Sequence, residues 1–120
     1  MRAATALAVA GAAAAALMAV AHLGIDLPLL PTVGAGRAVP PAAAAFAVGT
    51  ALFALTAAGL ARAKPWSWPL GLTVNALTVV ACAMPYRGPA SAAGIVMSSA
   101  GIALLLTPSA RRTIMGSPAP

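Results

Sequence analysis

Four long apolar stretches alternate with short breaks that hold most of the proline and charge. The stretches run over about 3–23, 40–61, 68–84 and 90–106. Each approaches the roughly 20 mostly apolar residues a helix needs to cross a bilayer. The pattern predicts an all-α fold: an integral membrane four-helix transmembrane bundle, with residues 1–120 as a single transmembrane domain.

The breaks have distinct chemistry. Residues 24–39 form the longest and hold Asp26, Pro28, Pro31, Gly34, Gly36 and Arg37, a composition that forbids a regular helix. Leu27, Leu29, Leu30 and Val33 keep it apolar, so it is expected to lie along the membrane surface or fold onto the bundle. Pro40 and Pro41 suit a helix entrance, where a missing amide costs nothing. Arg62 and Lys64 close the second stretch, and Trp66 and Trp68 beside them read as interfacial anchors. Tyr86 sits in a second tight turn, Pro85 to Pro89. Pro108 is read as the stop of the fourth stretch, with 109–120 expected as a flexible cytoplasmic tail.

Composition supports the membrane reading. Apolar residues make up 62% of the 120, and charged residues only 7%, against about 25% in a soluble domain. The net charge is +6, but the basic residues sit mainly at the ends of apolar runs, which points to membrane topology and away from nucleic acid. Arg2, Arg62, Lys64, Arg111 and Arg112 fall on one side, and Arg37, Arg87 and the single acid, Asp26, on the other. The richer side is expected to be cytoplasmic, with both termini inside. Richness in Ala, Gly and Pro fits a bacterial chain from a GC-rich genome, hence a multi-pass protein of the cytoplasmic (inner) membrane.

The first stretch allows a second reading. Its alanine run, Ala12 to Ala16, favours helix but is weakly lipophilic, which suits close packing. Yet Arg2, the apolar run and Ala19-Val20-Ala21 before His22 also resemble a secretory signal with a small-residue cleavage site. Loss of residues 1–21 would leave three spans.

Candidate chemistry is sparse. Gly71, Asn75, Thr78 and Cys82 lie at offsets of four, seven and eleven, on one face of the third helix. An amide in hydrocarbon needs partners. The leading expectation for Asn75 is therefore an interhelical hydrogen bond, and the alternative is the lining of a substrate or ion path. Gly94, Ser98 and Gly101 form a small-residue face on the fourth helix, suited to close backbone approach. Gly49 and Thr56 on the second helix are placed to face them. At the outer rim, His22, Asp26, Cys82, Tyr86 and Arg87 lie at one level and form a candidate polar cluster. Interfacial capping and a surface ion pair explain it better than a metal or quinone site, and its spacing is not diagnostic of a metal.

The absences weigh more. One cysteine allows no intrachain disulfide or Cys-x-x-Cys pair, and one histidine no bis-histidine haem. Every apolar stretch lacks an acid, and no phosphate loop, Ser–His–Asp set or metalloprotease His pair is present. No catalytic residue, metal or cofactor is therefore expected. The leading expectation is a non-catalytic subunit or scaffold acting through helix–helix contacts, in a homo-oligomer or larger membrane complex. The alternatives are an oligomeric small-molecule or ion transporter, and a quinone- or cofactor-linked oxidoreductase subunit.

Overall fold

A computed structural model describes residues 2–24, 39–84, 86 and 88–116. Those residues form five helices: α1 (Arg2–His22), α2 (Pro40–Ala61), α3 (Ser67–Ala83), α4 (Pro89–Leu105) and α5 (Pro108–Met115). No strand occurs among the described residues. The first four helices match the four apolar stretches to within one residue at either end.

The helix ends follow from local chemistry. α2, α4 and α5 each open on proline. α2 closes with paired bonds: the Lys64 amide donates to the Gly59 carbonyl (2.9 Å) and the Ala63 amide to that of Leu60 (3.1 Å). This closure satisfies the last carbonyls and needs a left-handed residue, supplied by Ala63 at φ 51°. Beyond it, Ser67 is fully buried and donates its hydroxyl to the Lys64 carbonyl at 2.6 Å, tightening the turn into α3.

The first four helices pack antiparallel in sequence order. α1 and α2 meet along their length, through Phe53 against Gly11, Ala15 against Gly49, and His22 stacked on Phe46 at 5.0 Å. α3 packs on α2 through its first turns and on α4 along its whole length. α1 returns to α4, where Ala3 and Ala4 face Leu104 and Thr107 across a shared cleft. α5 bends 67° away from α4 and packs against α3 and α4.

The tightest core lies at one end. Ala4, Ala8, Ala57, Leu60, Leu105 and Ile114 cluster there, with Trp68, Leu72 and Leu104 packed against them. This end collects the start of α1, the end of α2, the start of α3, the end of α4 and all of α5. Elsewhere large apolar side chains face outward: Met84 is 75% exposed and Val96 67%, and Val48, Leu55, Leu77 and Val80 are also exposed. Apolar surface on that scale is unusual for a monomer in water and ordinary for helices solvated by lipid.

Length separates the helices. α1 (21 residues) and α2 (22 residues) are long and apolar enough to cross a membrane. α4 reaches that length only together with α5, across the 67° bend. α3 and α4 have 17 residues each, about 25 Å at 1.5 Å per residue, a few ångströms short of the ~30 Å hydrocarbon core. Part of the expected tail has regular structure: residues 108–115 are helical, with Ile114 only 3% exposed. Pro108 starts a helix instead of merely ending one, because the Thr107 hydroxyl accepts the Ala110 amide and caps the first turn.

Candidate functional site

Asn75 and Cys82 of α3 face α4 across a seam in which glycines oppose larger side chains. A Cβ built on Gly101 would lie 2.8 Å from the Asn75 Oδ1. One on Gly94 would lie 2.6 Å from the Cys82 Sγ, and one on Gly71 2.9 Å from a Leu105 methyl and 3.2 Å from the Thr56 methyl. The contacts under 3.0 Å are shorter than real side-chain carbons show, so a methyl at any of the three glycines would force its neighbour to shift. The close approach of α3 and α4 is therefore favoured by glycine at these positions.

Asn75 is 7% exposed, and its amide Nδ2 donates to the Gly71 carbonyl, one turn back on its own helix, at 2.7 Å. Thr78 likewise donates to the Val74 carbonyl at 2.8 Å. The expected interhelical hydrogen bond from the Asn75 amide nitrogen is thus replaced by an intrahelical one. What crosses to α4 is the packing of the side chain into the Gly101 notch. The reason is reach: the i−4 carbonyl lies on the same face, directly beneath the side chain. Buried Ser98 and Gly101 complete the α4 side of this face.

On α2, Thr56 donates to its own Leu52 carbonyl at 2.8 Å and presents its methyl to Gly71 of α3. Gly49 faces Ala15 of α1 at 3.9 Å. The contacts these two residues make are thus with α1 and α3.

Of the outer-rim group, His22, Cys82 and Tyr86 are among the described residues. His22 is 7% exposed, and its Nδ1 lies 2.7 Å from the Met18 carbonyl, which can only accept and so places the ring proton on Nδ1. Its ring stacks on Phe46 of α2, Cys82 packs against α4, and Tyr86 is 60% exposed. No hydrogen bond or ring contact joins these three, and no set of three or more metal-ligating side chains occurs among the described residues. Asp26, Arg37 and Arg87 lie outside the described residues.

Two clefts flank the start of α1 at the tight end. One, of about 410 Å³, is open and lined by Arg2, Thr5, Ala6, Leu60 and Ala61. The other, of about 150 Å³, is lined by Ala3, Ala4, Leu104, Thr107, Ser109 and Ala110. Neither touches the Asn75 seam.

The two tryptophans also act at this end. The Trp68 indole N–H donates to the Leu105 carbonyl at 2.7 Å, and the Arg111 guanidinium stands over its ring at 5.8 Å. Trp66 covers Gly59 where α2 turns into α3. Thr5, Leu60, the Trp68–Arg111 pair and α5 were not anticipated from the sequence. The Thr107-Pro108 cap and the four-residue spacing of Ala110 and Ile114 were the available signal for α5. Comparison of the chain with protein-family models, curated proteins and solved structures found no match.

Proposed function

We propose that the chain is an integral membrane protein whose four long helices form a transmembrane bundle. Both termini lie on the cytoplasmic face of a bacterial inner membrane. It works as a non-catalytic subunit or scaffold, through helix–helix contacts in a homo-oligomer or larger membrane complex.

The observation that carries this reading is the state of the Asn75 seam. Asn75 and Thr78 each donate to their own helix backbone, and Gly101 lets α4 close over Asn75. A path for a polar solute needs polar atoms turned toward a cavity, and neither cleft reaches this seam. The outward apolar side chains supply surface for lipid or for further helices. The short α3 and α4 fit the bilayer by local thinning or by association with neighbours, each at modest cost.

Two measurements test the reading. Purification in mild detergent, with mass spectrometry of what co-purifies, should return a stable complex. Proteoliposomes holding the purified protein should show no proton, potassium or cationic-dye flux above protein-free vesicles. Flux that disappears in well-folded Asn75→Leu protein would replace the scaffold with a transporter.

A further inference from the structure

We propose that the larger cleft, between the start of α1 and the end of α2, is a binding site for one anionic phospholipid. Its phosphate sits at Arg2 and Thr5, and the upper part of an acyl chain lies against Ala6, Leu60 and Ala61. The inference rests on the membrane reading above.

The lining is amphiphilic in the required order. A guanidinium and a hydroxyl come from the first turn of α1, and an apolar wall from α2 and Ala6, around about 410 Å³. The ends of both long helices meet here, at the level where they would leave the hydrocarbon. The opening turn of α1 leaves backbone amides without helical partners, and these favour an anion. The opposing end of α2 would repel one, but its carbonyls at Gly59 and Leu60 are already taken by the amides of Arg62, Ala63 and Lys64.

Charge fits the same ligand. Arg62 and Lys64 follow directly on the α2 wall, and Arg111 and Arg112 lie on α5 at this end. No acidic side chain occurs among the described residues, so nothing there competes for Arg2. A free phosphate would use only Arg2 and Thr5 and leave the apolar wall wet, which is why a lipid is the better occupant.

The test uses the full chain in detergent, with phosphatidylglycerol and phosphatidylcholine of identical acyl chains, scored by native mass spectrometry. Phosphatidylglycerol should be retained preferentially. Arg2→Gln should weaken that retention about fivefold, the effect of one basic residue near an anionic surface. Arg112→Gln, outside the cleft, should weaken it less. Ala61→Phe fills the apolar wall without changing charge and should also reduce retention. Circular dichroism checks that each variant is folded, and Arg2 and Ala61 are both exposed. Equal retention of the two lipids would overturn the proposal. So would equal losses from Arg2→Gln and Arg112→Gln, which mean diffuse surface charge, or displacement of the lipid by excess inorganic phosphate. Release of the protein from membranes by alkaline carbonate would instead refute the membrane reading itself.

Discussion

At the scale of single residues, this protein is held by hydrogens where most helices carry side chains. Gly101 and Asn75 illustrate the consequence. A methyl at Gly101 would collide with an amide that is buried and tied to the Gly71 carbonyl, so it has little room to swing aside. Gly101→Ala is expected to destabilise the fold by about 1–3 kcal/mol, the usual cost of overpacking. In an Asn75→Ala background the colliding atoms are gone, and the same change should cost much less. Thermal or denaturant unfolding in detergent of both singles and the double reads out this coupling, and additive effects would mean the two residues are not in contact. Asn75→Leu alone should change stability by about 1–2 kcal/mol or less. Ala63 makes a second residue-level case. Its φ of 51° puts a Cβ in the left-handed region, where glycine is the usual occupant. Ala63→Gly is expected to stabilise the protein by up to about 1 kcal/mol, measured the same way.

At the scale of elements, α5 differs from the other helices. It is amphipathic, with Ala110 and Ile114 buried and Arg111, Arg112 and Thr113 exposed. That is the composition of a helix lying in the interface rather than through it. Its anchors are Ile114 in the core and Arg111 over Trp68. Ile114→Ala should cost about 2–5 kcal/mol of docking free energy. Hydrogen exchange should then show residues 108–115 losing protection while α1 and α2 keep theirs. Protection lost evenly along the whole chain would mean that α5 is inseparable from the rest of the fold. Thr107→Ala removes the cap and should loosen the same segment by about 1 kcal/mol. The apolar stretches were legible as helices because their length and composition allow little else. α5 was not, because eight residues carry a weak periodic signal and its charged face reads as tail.

At the scale of the whole molecule, the distribution of basic residues sets an expectation for topology. Five of the seven fall at the end holding the N-terminus of α1 and the whole of α5. A fluorescent reporter fused after Pro120 should therefore be active in the cytoplasm, and a periplasmic-type enzyme reporter there should be silent. The reverse pattern would overturn the proposed orientation. Intact-mass measurement of membrane-extracted protein should also retain residues 1–21. Their loss would favour the cleaved-signal alternative and remove the α1 surface against which α2 packs.

Sequence alone determined what depends on local chemistry: the positions of four long helices, the prolines at the entrances of α2 and α4, and an exterior suited to lipid. It also isolated Asn75, Gly94 and Gly101 as unusual, since amides and glycines stand out in an alanine-rich apolar run. Only tertiary structure decided who faces whom. The α3–α4 register sets Asn75 against Gly101 and Cys82 against Gly94. The order of packing turns Gly49 toward α1 and Thr56 toward α3, and keeps His22 with Phe46. Periodicity specifies the faces of one helix but not the rotation or register of its neighbour. Those are set by the fit of side chains into notches, a property of two helices together.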